Sequence, residues 1–295
     1  MFNNWLGWMF RTINTRLLYS SFWLEEKFVK VIFLISIQFY KSWKQKVHKP
    51  TPFVIRNIDR NIVMKVDLSK SMGAAFYWMG FHELNEWRFL NHYLKPDMVF
   101  ADIGSNQGEF ALFAAKRLTN GKVLAFEPMN FFYDLLNENI QFNQFKNIET
   151  YHCGLSNAAG QLPIYLGSEG EGEHEGLGTI FPSQVRSRFI QNIELKVLDD
   201  MMSELKITRL DFIKIDVEGA EMLVLKGSKE VIKKFRPAVM IEINDATYEA
   251  AGYSVADVKS FFKELNYSLH IISKGGVLKK SDVTPDFCNA VFVPN

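Results

Sequence analysis

Met98-Val-Phe-Ala-Asp-Ile-Gly-Ser-Asn-Gln-Gly108 is the stretch that decides the fold. Met98 to Ala101 is an unbroken apolar run leading into Asp102, the pattern of a strand covered on both faces. Gly104 and Gly108 let the backbone turn sharply and approach a ligand closely. The spacing predicts a helix from Glu109 to Leu118, whose first amides can face a negative group. The next apolar strand, Lys122-Val-Leu-Ala-Phe-Glu127, ends in Glu127-Pro128, nineteen residues past Gly108. A carboxylate placed there can accept hydrogen bonds from two ribose hydroxyls. Strand, glycine loop, helix, strand and acid together make a nucleoside-binding unit.

Downstream the alternation continues. A helix is expected over 130–143, then strands at 148–153, 211–216 and 238–243, with helices beginning at Ala220 and spanning Val255–Leu265. Strands separated by helices with right-handed crossovers build a doubly wound α/β sheet. The last two predicted strands, Tyr267–Ser273 and Phe287–Val293, have only a Gly275-Gly276 turn and a short loop between them, so they should be antiparallel neighbours. Upstream, 53–57 and 61–67 read as a small hairpin, and His82–Leu94 as a helix ended by Pro96. An insertion at 155–200 carries two further strands, 161–166 and 193–198, around the glycine- and glutamate-rich run from Gly167 to Gly178. That run cannot pack a core, and it reads equally as a substrate lid or a solvated turn. His174 within it has no partner histidine and is not nominated, nor are His82, His92, His152 and His270.

The dinucleotide fingerprint G-x-G-x-x-G is absent, because the glycines stand as G-x-x-x-G around Asn106. A phosphate-loop lysine is also absent. The most specific run is Asp211-Phe-Ile-Lys-Ile-Asp-Val-Glu-Gly-Ala-Glu221. With Asp102–Gly108 and Glu127-Pro128, it resembles the FkbM family of S-adenosylmethionine-dependent methyltransferases over about residues 80–273. His82-Glu83 with Pro96 is similar to that family's lead-in helix. Leu155-Ser156-Asn157 is similar to its segment after the third strand, where Asp is more usual than Asn157. The resemblance implies a Rossmann-like class I methyltransferase sheet over residues 51–295 and methyl transfer to a hydroxyl of a sugar, glycoconjugate or secondary metabolite. It implies that Glu83, Asp102, Gly104, Ser105, Asn106 and Gly108 cradle the amino-acid and ribose part of S-adenosylmethionine. Glu127 and Pro128 would sit at the ribose, Ser156 and Asn157 near the adenine.

The reaction is a displacement at a sulfonium methyl. It needs an oxygen nucleophile close to the methyl and partly relieved of its proton. Asp216 and Glu218 stand at the carboxyl end of one strand and Glu242 near the end of the next, where open α/β sheets bind ligands. Asp216, Glu218 and Glu242 are therefore the catalytic candidates, with Asp216 as base or metal ligand and also in reach of the cofactor. Their hard oxygens would suit Mg²⁺, although no spacing requires a metal. The plainer readings are that Lys214 snorkels, that Glu218 caps the following helix and that Glu221 is solvated. A nicotinamide-dependent (NAD(P)) oxidoreductase and a non-catalytic membrane or assembly factor with a retained fold are the alternative functions.

Composition sets the remaining bounds. The chain has 295 residues, 47% of them hydrophobic, and Lys+Arg 34 against Asp+Glu 33. A balance near zero argues against nucleic acid as a partner. The balance is uneven: residues 1–50 hold eight of the Lys and Arg but only Glu25 and Glu26 among the acids. Twelve of those fifty residues are aromatic, including Trp5, Trp8, Trp23 and Trp43. Two helices are expected there, over 3–20 and 22–46, with the second apolar around most of its circumference. Neither provides the roughly 20 consecutive apolar residues of a membrane span, and no signal-peptide pattern is present. This basic, aromatic head either packs on the main domain or on a second copy of the chain, or it lies on a membrane surface. Cys153 and Cys288 show no metal or disulfide spacing, so a cytoplasmic location is the default, peripheral to a membrane if the head is interfacial. The expected acceptor is a small molecule or saccharide.

Overall fold

The structure is a computed structural model that describes residues 2–19, 23–47, 49–167, 178–184 and 186–295. The chain opens with helices α1 (Phe2–Asn14), α2 (Arg16–Tyr19) and α3 (Trp23–Lys44). The hairpin β1 (Pro52–Ile58) and β2 (Ile62–Asp67) follows, then α4 (Ser71–Met79) and α5 (Leu84–Tyr93). The first half of the sheet is β3 (Val99–Ile103), α6 (Glu109–Ala115), β4 (Lys122–Phe126), α7 (Asn130–Asn143) and β5 (Ile148–Tyr151). The insertion contributes β6 (Gly154–Leu155), β7 (Gly160–Gly167), β8 (Arg186–Lys196) and α8 (Leu198–Glu204). The second half is β9 (Phe212–Ile215), α9 (Glu221–Lys226), α10 (Lys229–Phe235), β10 (Ala238–Asn244), α11 (Asp245–Ala250) and α12 (Val255–Glu264). It closes with β11 (Tyr267–Ser273), β12 (Val277–Lys280) and β13 (Phe287–Pro294).

The main sheet runs β12-β11-β13-β10-β9-β3-β4-β5. Pairings from β10 through β5 are parallel, whereas β13 lies antiparallel between β10 and β11. The expected doubly wound sheet and terminal antiparallel pair are therefore present. The chain winds from β3 outward to β5 and later returns to lay β9 on the other side of β3. That reversal places a crevice at the carboxyl ends of β3 and β9, where such sheets bind ligands. Phe212, Ile213 and Ile215 are fully buried, as are Val239, Met240, Ile241 and Ile243, which is why these strands read as continuous apolar runs.

Three elements depart from the sequence reading. The segment between Asp67 and His82 contains helix α4, whose residues Gly73 to Trp78 are all buried, so no polar face gives it a helical period. The segment after Val197 is helix α8, and the Gly275-Gly276 turn leads into the edge strand β12. The run 168–177, with His174, lies outside the described residues.

The N-terminal head packs on the body. Phe10, Leu17, Leu18 and Val29 share one hydrophobic core with Phe76, Trp78 and Phe113. Arg11 is buried beneath α1 and ties three elements together: Nε donates to Asn57 Oδ1 of β1 at 2.7 Å and Nη1 to the Tyr77 carbonyl of α4 at 2.5 Å. Burial lowers its pKa to about 10. Asp59, at the hairpin turn, is fully buried and receives Arg117 Nη1 at 2.9 Å, which pins the hairpin to the end of α6. Arg11→Ala would leave two buried acceptors without their donor. The expected cost is about 2–4 kcal/mol, seen calorimetrically as a fall in Tm of roughly 4–10 °C. An unchanged Tm would mean that α1 contributes nothing to the folded body.

Candidate active site

The loop after β3 is built around a close backbone approach. Gly104 has φ +81°, and a Cβ added there would lie 1.9 Å from the Asp216 carbonyl oxygen at the end of β9. Only glycine lets the two loops touch in this way. Asn106 also has positive φ, 49°, a conformation that Asn tolerates better than most residues. Its backbone N–H donates to Glu127 Oε2 at 2.8 Å, and the Met129 N–H donates to Glu127 Oε1 at 2.9 Å. Glu127 thus joins the loop after β3 to the loop after β4. The loop after β9 is stapled similarly: Glu221 Oε1 accepts from the Val217 N–H and Oε2 from the Gly219 N–H, both at 3.0 Å, and Oε2 also accepts from Tyr253 Oη at 3.0 Å. Glu221 is fully buried, so the solvated reading of it is corrected, and the acid serving that helix start is Glu221 rather than Glu218.

These loops enclose a cavity of about 480 Å³. Its polar floor carries Glu83, Asp102, Glu109, Glu127, Lys214 and Asp216. Lys214 is only 3% exposed, which overturns the snorkelling reading; its Nζ donates to Asp216 Oδ2 at 2.9 Å and lies 4.6 Å from the Phe110 ring centre. Burial alone would lower the Lys214 pKa, but Asp216, Asp102 and Glu83 together hold it above its ordinary value. Burial pushes Asp102 up to about 6 and Glu83 up to about 8. Glu127 is pushed up to about 7 by burial, against the pull of its two backbone donors. Both Asp102 carboxylate oxygens, Glu83 Oε2 and Glu109 Oε1 are buried with no hydrogen-bond partner among the described residues. Buried acceptors left this way fit a ligand that brings positive charge and N–H or O–H donors. The amino-acid and ribose portions of S-adenosylmethionine meet that description, so the residues present fit this cofactor.

A second wall is apolar. Met129, Phe132, Ile164, Ile193 and Leu195 form a separate hydrophobic cluster between α7 and the insertion strands, and all five line the cavity beside Gly154 and Leu155. This wall could receive a flat base. Ser156 and Asn157 do not reach it: neither lines the cavity, and Asn157 is exposed. The backbone explains this, since β6 ends at Leu155 and the Ser156 carbonyl turns against Gly227. Gly108 also lies outside the lining, at the start of α6, while Ser105 and Pro128 lie within it.

At the far side Asp216, Glu218 and Glu242 come together, with one carboxylate oxygen from each inside a 4.8 Å cluster. Glu218 Oε2 accepts from Arg186 Nη1 at 2.8 Å. Burial and the neighbouring Asp216 raise Glu218 to about 7 and Glu242 to about 10. Burial beside the other acids thus favours the protonated form of Glu242. The sequence reading brought these three acids together correctly but missed the groups around them. Arg186 lies in the insertion, and Glu109 was read only as a helix start. His82 was set aside, yet it lines the cavity with Nδ1 3.8 Å from Glu109 Oε2. A lysine between apolar residues and two acids, as in Lys214-Ile-Asp216, was the available signal for a buried ion pair.

Known proteins provide the remaining frame. Residues 102–269 match the family model described as the methyltransferase FkbM domain. The methyltransferase sdnD of Sordaria araneosa is 31% identical over 184 residues, covering 54% of this chain and 70% of that protein. The hexuronic acid methyltransferase AglP of Haloferax volcanii is 27% identical, over 62% of this chain and 69% of its own. The 2-O-methyltransferase NoeI of Sinorhizobium fredii is 29% identical, over 48% of this chain and 62% of its own. Glycine loop, ribose-side acid and strand-end carboxylates all fall within the matched segment, and the chain belongs to the FkbM family of S-adenosylmethionine-dependent methyltransferases.

Proposed function

We propose that this chain methylates a hydroxyl oxygen of a saccharide or glycoconjugate, with Asp216 as the proton acceptor. The observation that carries the reading is the carboxyl cluster of Asp216, Glu218 and Glu242 in the same cavity as the cofactor-type loops. A hexuronic acid methyltransferase, AglP, supports the acceptor class, and a 2-O-methyltransferase, NoeI, supports oxygen as the methylated atom. Neither the oxidoreductase nor the non-catalytic alternative gains support from the family or from the loop chemistry.

Bound S-adenosylmethionine supplies a methyl group on a positively charged sulfur. The chain's own groups then position the acceptor and take its proton. Asp216 would take the hydroxyl proton of the acceptor as its oxygen is methylated. Lys214 holds one Asp216 oxygen and leaves the other for the acceptor. Protonated Glu242 donates a hydrogen bond to a neighbouring acceptor oxygen, and the Arg186–Glu218 pair closes that side of the site. Two of the three carboxylates already face a fixed cation, which favours a base over a metal ligand. Activity should therefore persist through exhaustive chelation. Loss of activity restored by Mg²⁺ would give the trio to a cation instead.

Three measurements test the reading. Calorimetry should show S-adenosylmethionine binding that weakens about 10- to 100-fold in Asp102→Asn and Glu127→Gln, each having lost a charged partner. Wild-type binding absent at millimolar ligand would overturn it. Asp216→Asn should lower kcat about 10²- to 10⁴-fold in an assay that follows the mass gain on candidate saccharides. The pH dependence has a definite sign. Asp102 and Glu127, held near 6 and 7 by burial, would titrate near 4 when unfolded. They favour the folded, ligand-free protein most below about pH 4 and lose that contribution as pH rises through 6–7. A cationic ligand prefers their ionised forms, so S-adenosylmethionine should bind about tenfold more tightly at about pH 8 than at about pH 5.5. S-adenosylhomocysteine, without the sulfonium charge, should show a smaller change.

A further inference from the structure

We infer that the outer face of α1 and α3 docks on an anionic lipid bilayer. The two helices lie antiparallel: the Phe10 and Phe39 rings are 5.4 Å apart, and Asn14 Nδ2 donates to Ser36 Oγ at 3.1 Å. Their inner faces are used by the body, through Phe10 and Val29. Their outer faces are apolar as well. Trp5 and Trp8, one turn apart on α1, are 57% and 51% exposed. Val31, Leu34 and Ile35, one stripe of α3, are 55%, 60% and 41% exposed. Folding the body does not require these five side chains to face outward.

Charge identifies the occupant. Arg16, Lys41, Lys46 and Lys49 are exposed on or just after the same helices. Across residues 1–58 the only acids are Glu25 and Glu26. A symmetric second copy would set this basic face against itself, which costs rather than gains. An anionic bilayer surface complements it, with indole rings at headgroup depth and lysines above them. No described helix is long and apolar enough to cross a membrane, so the arrangement is a layer lying on the surface.

The test uses the full chain in flotation with phosphatidylcholine vesicles, with and without phosphatidylserine. The chain should float with the anionic vesicles, and raising the salt should release it. Reversing Arg16 and Lys41 to Glu should weaken partition about tenfold or more, at roughly fivefold per basic residue lost. Trp5→Ser with Trp8→Ser should weaken it similarly, while S-adenosylmethionine binding, as a check on folding, stays unchanged. Failure to float, equal flotation with neutral vesicles, or variants that float as well as the wild type would overturn the inference. So would a lipid-independent dimer that buries Trp5 and Trp8, seen by light scattering and fluorescence quenching.

Discussion

The carboxyl end of the sheet depends on one buried cation. Among the described residues lining the cavity, Lys214 is the one lysine or arginine, and it faces Asp102, Asp216 and Glu83 at once. Without it, buried Asp102 and Glu83 would lose the cation that opposes their desolvation, and both would shift further toward the protonated form. With it, the floor stays partly ionised and keeps acceptors turned toward the space a cationic ligand would fill. The strand supplies this cation because β9 is buried on both faces, so its one polar inward side chain must find its partners inside.

Around that ion pair, backbone contacts take over. Gly104 against the Asp216 carbonyl, Glu127 on the Asn106 and Met129 amides, and Glu221 on the Val217 and Gly219 amides lock three strand-end loops to one another. The glycine-loop side and the carboxyl-cluster side of the cavity therefore share a frame. The insertion then adds what the frame lacks, an apolar wall from Ile164, Ile193 and Leu195, and a cation, Arg186, for Glu218.

What the sequence disclosed follows from this division. Apolar strands and glycine loops were legible because burial on two faces and positive φ restrict residue type locally. The acids at strand ends were legible because topology places all carboxyl ends at one edge. Arg186 and Glu109 were not, since their roles arise from neighbours 32 and 26 residues away in sequence, at Glu218 and Glu83. Helix α4 escaped because it is buried all round and shows no period. Ser156 and Asn157, placed near the adenine by resemblance, lie outside the cavity lining, whereas Gly154 and Leu155 lie within it.

Helix α4 has no solvent face of its own. Trp78 stacks on Phe39 at 5.1 Å and meets Trp43 at 5.6 Å, Tyr77 lies 6.0 Å from Trp43, and Trp43 Nε1 donates to the Leu68 carbonyl just upstream. Ser71 and Met72, at the other end of the same helix, stand at the cavity rim. A related chain without the first three helices would thus have to repaint α4 with polar residues to stay in solution. Loss of the head alone would leave the Tyr77 and Trp78 rings without Phe39 and Trp43, which cover them.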